Sequence, residues 1–241
     1  MTLSQLYRQC RRQLTHDTAD FDLSQLFHAQ FERSPGLSRA EAEVADDEAF
    51  VFRRKVKRLA EGYPLQYLLG EWEFYSIPLK VGEGVLIPRP DTETLVDAAL
   101  ALAARMETPE PVIADFCAGS GAIALALARH LPGARLLALE LSPVALDYLR
   151  QNVIANRMGG RIDILEADVL EPPELPPLDM IVANPPYLTA EELTGLSEQV
   201  RCEPVMALDG GEDGLVFYRA IARGALRQLR PGGVLAFEVG W

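Results

Sequence analysis

The chain has 241 residues, 49% of them apolar, and a net charge of −12 from 23 Lys and Arg against 35 Asp and Glu. That length suits one large domain, or an ordinary domain with a small one beside it, and no apolar run is long enough to span a bilayer. The acidic excess lies wholly in residues 65–241, with 13 basic against 25 acidic side chains, which argues against the phosphate backbone of nucleic acid as the main ligand.

The first residues, MTLSQLYRQCRRQL, are amphipathic and lack the apolar core of a signal peptide. Cys10, Cys117 and Cys202 fall at unrelated spacings, which fits a reducing cytoplasm and gives neither a disulfide framework nor a metal site. Leu3, Leu6, Tyr7, Cys10 and Leu14 recur at helical spacing, as do Leu23, Leu26, Phe27 and Phe31. Ser38-Arg39-Ala40-Glu41 has the form of a capping box, and Asp46 or Asp47 is placed to cap a helix closing near Gly62. Residues 1–62 therefore predict a bundle of about four helices. The basic run Arg53–Arg58 on one of them reads as a solvated face or the rim of a protein contact.

Residues 63–90 read as a connector. Tyr63–Gly70 is turn-rich, and Trp72, Phe74, Ile77, Leu79 and Val81 alternate as a β-hairpin turning near Ser76. Asp91-Thr92-Glu93 then opens an apolar helix to about Met106. From Pro111 onward strand and helix alternate. Strands are predicted at Val112–Phe116, Arg135–Glu140, Arg161–Glu166, Asp179–Ala183 and Val234–Val239. Helices are predicted at Ala122–His130, Pro143–Asn156 and Gly214–Leu229, with Pro231-Gly232-Gly233 turning into the last strand. Such alternation builds an α/β fold with a doubly wound parallel sheet over 91–241.

Chemistry-bearing residues stand at the carboxyl ends of these strands, where sheets of this kind bind ligands. The first strand ends in Asp115-Phe116-Cys117-Ala118-Gly119-Ser120-Gly121, whose small residues allow close backbone approach and lead into a helix N-terminus. The dinucleotide fingerprint is not met, since Ala124 takes the place of the third glycine. Asp115 suits a neighbouring ammonium or sulfonium better than a pyrophosphate. Glu140 closes the second strand, where a carboxylate accepts from both hydroxyls of a ribose. Asp168 and Val169 follow the third, able to meet the amino group and the ring of an adenine. Each acid taken singly also fits a helix cap or a loop.

The fourth strand runs into Asn184-Pro185-Pro186-Tyr187. Two prolines fix two φ angles and remove two N–H groups, leaving carbonyls free to accept, while Asn184 offers an amide and Tyr187 a flat ring. Alone, this is equally a stiff structural turn or a cradle for a planar –NH2. With the preceding strand ends it reads as an S-adenosyl-L-methionine site beside an acceptor amide.

At this point the chain resembles the peptide chain release factor glutamine methyltransferases, within the Rossmann-like S-adenosyl-L-methionine-dependent methyltransferases. The similarity rests on Pro64–Gly70, Leu86-Ile87-Pro88-Arg89-Pro90-Asp91-Thr92-Glu93, Asn184–Tyr187, Glu203-Pro204 and the run Asp209–Leu215. The resemblance implies that Cys117, Ala118, Gly119, Ser120 and Gly121 wrap the methionine part of S-adenosyl-L-methionine, that Glu140 holds its ribose and that Val169 borders the adenine. Asn184, Pro185, Pro186 and Tyr187 would hold the substrate glutamine, in the Gly-Gly-Gln loop of bacterial release factors, and S-adenosyl-L-homocysteine would be the product. Cys117 and Ala118 stand where that family often has Gly and Thr, and Glu140 where Asp is common. The resemblance also implies that the helical bundle grips the release factor; a monomer of the cytoplasm is expected, with no direct nucleic-acid and no membrane partner. It further implies a sheet short of its C-terminal strands at Trp241. Glutamine of a ribosomal protein and adenine of nucleic acid are the rival acceptors.

Overall fold

The computed structural model describes residues 1–32 and 42–240. In chain order the elements are α1 (Leu3–Arg11), α2 (Ala19–Phe31), α3 (Asp46–Ala60), α4 (Leu65–Leu69), β1 (Glu71–Phe74), β2 (Ile77–Lys80), α5 (Thr92–Ala103), β3 (Val112–Phe116), α6 (Ala122–His130), β4 (Arg135–Glu140) and α7 (Pro143–Ala155). They continue with β5 (Ile162–Glu166), β6 (Leu178–Ala183), α8 (Ala190–Thr194), α9 (Glu198–Arg201), α10 (Val216–Gln228) and β7 (Leu229–Phe237), with a 3-10 turn at Val205–Ala207. The chain divides into two compact units, Met1–Gly70 with Ser197–Cys202, and Glu71–Leu196 with Glu203–Trp241.

The first unit is helical. Thr2 caps α1 through a reciprocal pair in which it accepts from the Gln5 N–H and the Gln5 side chain accepts from its own N–H. Leu6, Cys10, Leu23, Leu26, Phe52 and Val56 are fully buried between α1, α2 and α3. Phe52 meets the ring of Phe27 edge-on at 5.6 Å, a geometry that aromatic quadrupoles favour. Two local expectations are corrected. The N-cap of α3 is Ala45, not an aspartate, and Asp46 and Asp47 instead place negative charge within the first turn. Residues 65–69 form the helix α4, closed by Gly70 in a left-handed conformation, rather than an irregular connector. The capping box expected at Ser38–Glu41 lies outside the described residues.

The second unit opens with the hairpin. Trp72 pairs with Leu79 and Phe74 with Ile77, and the turn is made by Tyr75 and Ser76, both at positive φ, the twist-compatible geometry for a two-residue connection. A five-stranded sheet follows in the order β5-β4-β3-β6-β7; every pairing in it is parallel. Alternate residues feed two cores: Ile113, Leu136, Ala138 and Val182 face α5, α6, α7 and the hairpin. Ala114, Phe116, Leu137, Leu139 and Ile181 face the side of α10. Burial on both faces explains why β3 and β6 read as continuous apolar runs.

The sequence-predicted limits of β3, α6 and β4 coincide with the structure. At the C-terminal side the strand begins earlier than expected. Leu229 already pairs with Leu178, and the register then shifts before Met180 meets Val234. Pro231-Gly232-Gly233 is therefore an irregularity inside β7, not a turn ahead of it. Arg230 reaches back from this bulge to both oxygens of Asp179, at 2.8 and 2.9 Å. The short helices α8 and α9 carry no long apolar period and were outside the sequence expectation.

Candidate active site

The carboxyl ends of β3, β4 and β6 border an open cavity, lined among others by the loop after β3, Glu140, Asp168 and Asn184. The loop after β3 makes one wall. Ala118 donates its N–H to the Leu139 carbonyl at 2.9 Å and Gly121 to the Ala118 carbonyl at 2.8 Å, so the chain turns tightly between β4 and α6. Gly121 caps α6 at φ +84°, and a Cβ there would lie 2.4 Å from Leu149 Cδ1 on α7. Only glycine lets the loop sit this close to the helix.

Two side chains fix that loop from beneath. Asn152 of α7, fully buried, accepts the Lys80 N–H at 2.6 Å and donates to the carbonyls of Lys80 at 3.0 Å and Ser120 at 2.9 Å. It ties the hairpin to the cavity wall. Glu140 accepts from Gly119 N–H with one oxygen, at 2.8 Å, and from the N–H groups of Leu141 and Ser142 with the other, at 2.9 and 2.8 Å. Three backbone donors thus hold a carboxylate in place at the cavity edge, its remaining lone pairs available to a ligand's hydroxyls.

Asp115 behaves differently from the other acids. It is fully buried, does not line the cavity, and accepts from the Ala124 N–H in the first turn of α6 at 2.9 Å. Its Oδ1 has no hydrogen-bond partner among the described residues. Burial raises its pKa to about 8, more than the Ala124 N–H lowers it, and Glu140 adds to the rise. Burial, then the neighbouring acids Glu140, Asp115 and Asp168, also push the Cys117 thiol well above its ordinary range. Cys117 stays a neutral thiol at physiological pH and is no nucleophile.

Of the sequence-predicted site residues, Cys117, Ala118, Gly119, Ser120, Glu140, Asp168, Val169, Asn184 and Pro186 line the cavity, while Asp115, Gly121, Pro185 and Tyr187 do not. Val169 is buried in the wall, and Asp168 accepts from the Leu170 N–H at 2.8 Å, which turns the chain after β5. Asn184 donates Nδ2–H to the Thr92 hydroxyl at 3.2 Å. Thr92 is buried at the start of α5. Tyr187 packs instead against the backbone of Gly240, where an added Cβ would lie 2.8 Å from its ring.

The turn is braced from behind. Leu188 donates to the Leu208 carbonyl at 2.9 Å and Gly210 to the Leu188 carbonyl at 2.8 Å. A Cβ on Gly210 would lie 2.6 Å from Tyr187 Cα, and one on Gly214 would lie 2.4 Å from the Tyr187 carbonyl oxygen. The Asp209–Leu215 run is thus a backing for Asn184–Tyr187. On the other side of the cavity, buried Glu203 accepts the Ile87 N–H at 3.0 Å and pairs with Arg89. This joins the Pro88–Glu93 segment to the Glu203-Pro204 turn.

Residues 86–93 carried the resemblance without an assigned place, and Pro88, Arg89 and Thr92 now line the cavity, with Phe217 of α10. Glu238 was missed altogether. It follows β7, and its N–H donates to the Ala183 carbonyl at 3.0 Å, which brings it beside Asn184. The rule that flagged Glu140 and Asp168, a polar residue at a strand's carboxyl end, applies equally to it.

Glu140 and Asp168 at the cavity edge, set in a shell of small and apolar residues, suit a ligand with a cationic centre, hydroxyls and a flat ring. Residues 92–201 match the family model described as Methyltransferase small domain, and residues 5–70 that described as PrmC N-terminal domain. A protein named release factor glutamine methyltransferase from Moorella thermoacetica is 48% identical over 205 residues, covering 85% of this chain and 71% of its own length. One of the same name from Streptomyces coelicolor is 41% identical over 84% of this chain and 73% of its own. Among solved structures, the hMettl16 catalytic domain in complex with MAT2A 3′UTR hairpin 6 superposes with a TM-score of 0.53 at 17% identity, over 79% of this chain and 69% of that one. That likeness is one of fold alone. No described helix is long and apolar enough to cross a membrane.

Proposed function

The chain belongs to the release factor glutamine methyltransferases, and we propose that it moves a methyl group from S-adenosyl-L-methionine onto the side-chain amide nitrogen of the glutamine in a release factor's Gly-Gly-Gln loop. The observation that carries this reading is Asn184, which lines the cavity at the end of β6 and commits an amide N–H to Thr92, so that its oxygen is available as an acceptor. Its neighbours fit the cofactor: the glycine-containing loop leaves open space at Gly119, and Glu140 is immobilised by three N–H groups at the cavity edge. In this reading residues 117–121 enclose the methionine part, Glu140 accepts from the ribose hydroxyls, and Asp168 and Val169 meet the adenine. Asp115 acts from below by ordering the first turn of α6.

When bound, the cofactor supplies a methyl group already activated on a sulfonium, leaving S-adenosyl-L-homocysteine. The chain's own task is positional, since an amide nitrogen is a weak nucleophile with its lone pair delocalised into the carbonyl. The Asn184 Oδ1 and the Pro185 carbonyl accept the two amide hydrogens. That orients the nitrogen, favours lone-pair character on it and assists loss of its proton. The Pro-Pro pair keeps both acceptors fixed, and Tyr187, packed against Gly240 rather than lining the cavity, steadies the turn from outside. The helical unit grips the release factor outside its Gly-Gly-Gln loop. The chain works as a monomer in the cytoplasm without direct use of nucleic acid.

The test is incubation with methyl-labelled S-adenosyl-L-methionine and, separately, a release factor, ribosomal protein and DNA. Label on a release-factor glutamine amide is expected. Label confined to ribosomal protein or DNA overturns the acceptor assignment.

A further inference from the structure

Parallel pairing of β6 with β7 puts Ala183 opposite Phe237, and the Glu238 N–H continues the ladder by donating to the Ala183 carbonyl at 3.0 Å. Asn184 and Glu238 are therefore neighbours across the strands, on the same side of the sheet. The Glu238 backbone is held from α10 as well, where the Tyr218 hydroxyl donates to its carbonyl at 2.8 Å. Thr92, which already accepts from Asn184 Nδ2 at 3.2 Å, and Asn184 itself both act on the carboxyl to favour its charged form. Its Oε2 is shielded from solvent with no partner among the described residues. An unsatisfied carboxylate oxygen under protein is costly to folding, and nothing in the packing of β7 calls for a charge there.

From this geometry we propose that Glu238 is a positioning residue for Asn184: with Thr92 it takes up the amide N–H groups, so that Asn184 must turn Oδ1 to the substrate glutamine. The inference rests on the glutamine-methylation reading. An asparagine amide can flip, exchanging donor for acceptor with little change of shape. A neutral neighbour would accept either arrangement. A carboxylate would not, because the flipped amide would set oxygen against oxygen. The charge on Glu238 thus selects the one orientation that can receive an amide hydrogen from the cavity.

The groups facing Glu238 define the pH behaviour. Burial raises its pKa above the ordinary value, Asp91 adds to the rise, and Thr92, Asn184 and Arg89 oppose it. Tyr187 and Tyr218 face it too, and both hydroxyls are themselves raised in part by its charge. Protonation of Glu238, and with it release of Asn184, is therefore expected above the usual glutamate range.

Glu238→Gln preserves shape and removes the charge. Its kcat on release factor is expected to fall by about 10-fold or more, on the scale of misaligning an acceptor at the reacting atoms, with binding of S-adenosyl-L-methionine unchanged. The acidic limb of the wild-type kcat profile should disappear. A second readout needs neither cofactor nor turnover. The Asn184 side-chain 15N–H2 signals, identified by their loss in Asn184→Ala, should titrate with pH in the wild-type chain and not in Glu238→Gln. Asn184 signals that ignore both pH and the substitution overturn the proposal, as does a Glu238→Gln enzyme with wild-type kcat and pH profile. A wild-type chain that labels no release factor while its Asn184 signals still titrate refutes the acceptor assignment and leaves the positioning role standing.

Discussion

Replacing Asn152 with alanine isolates the contribution of one side chain to the cavity wall. The substitution removes three hydrogen bonds, at 2.6, 3.0 and 2.9 Å, and leaves the Lys80 N–H and the carbonyls of Lys80 and Ser120 without their partner. Leaving a buried polar group unsatisfied costs roughly 1–3 kcal/mol. The two Lys80 groups are partly exposed on the hairpin and count at the low end, whereas the Ser120 carbonyl is enclosed and counts higher. The sum is about 4 kcal/mol. For a chain of this size each kcal/mol moves the melting temperature by about 2–4 °C, so thermal unfolding followed by circular dichroism should shift down by roughly 10 °C. Asn152→Asp should do no better, since it keeps an acceptor for the Lys80 N–H but sets a carboxylate against two carbonyls. The same variants should bind S-adenosyl-L-methionine more weakly by calorimetry, because Ser120 is no longer held. A drop in melting temperature below about 2 °C, or an Asn152→Asp protein more stable than Asn152→Ala, would refute the reasoning.

Three further outcomes are expected. Asn184→Ala should lower turnover about 10²-fold or more, the scale of losing an aligned acceptor, while equilibrium binding of S-adenosyl-L-methionine stays near normal; an equal loss of both contradicts the division of labour. Asp115 keeps its proton in the folded chain up to about pH 8 and loses it near the ordinary 3.8 when unfolded. The stability it lends is therefore full below about pH 4 and drains as pH rises towards 8. Asp115→Asn, which can still accept from Ala124, should flatten the fall of melting temperature across that window, and an unchanged slope counts against the assignment. Glu203→Ala frees Arg89 and leaves the Ile87 N–H unpaired. Because the Arg89 side chain is 36% exposed, its loss of a partner is discounted for solvent screening and the cost is about 1–2 kcal/mol in chemical denaturation. The larger effect should be a raised KM, as the Pro88–Glu93 wall loosens.

The parallel sheet was legible because β3, β4 and β6 are short apolar runs bounded by Pro, Gly and acidic residues, and because α6 and α7 start at residues suited to caps. Leu65–Leu69 was not, since five residues between Pro64 and Gly70 have too few turns to show a helical period. The bulge in β7 depends on Arg230 finding Asp179 on another strand, a partnership invisible to local pattern. At the site, the rule of strand carboxyl ends found Glu140, Asp168 and Asn184. That rule gives position and not depth. It could not show that α6 folds over Asp115 and removes it from the cavity, whereas Glu140 is held at the rim by three N–H groups. Thr92 and Glu238 meet Asn184 only when α5 and β7 pack around β6.

The backing behind the Asn184–Tyr187 turn has a consequence for how this enzyme tolerates change. Pro185 and Pro186 give the turn no N–H with which to secure itself, so its position is borrowed from backbone lying against it at Gly210 and Gly214. Any side chain at those two glycines would collide with the Tyr187 backbone and displace the turn. Inactivating alleles should therefore gather in a loop that touches neither methyl donor nor acceptor. Such variants would be defects of alignment, retaining cofactor and substrate while failing to join them.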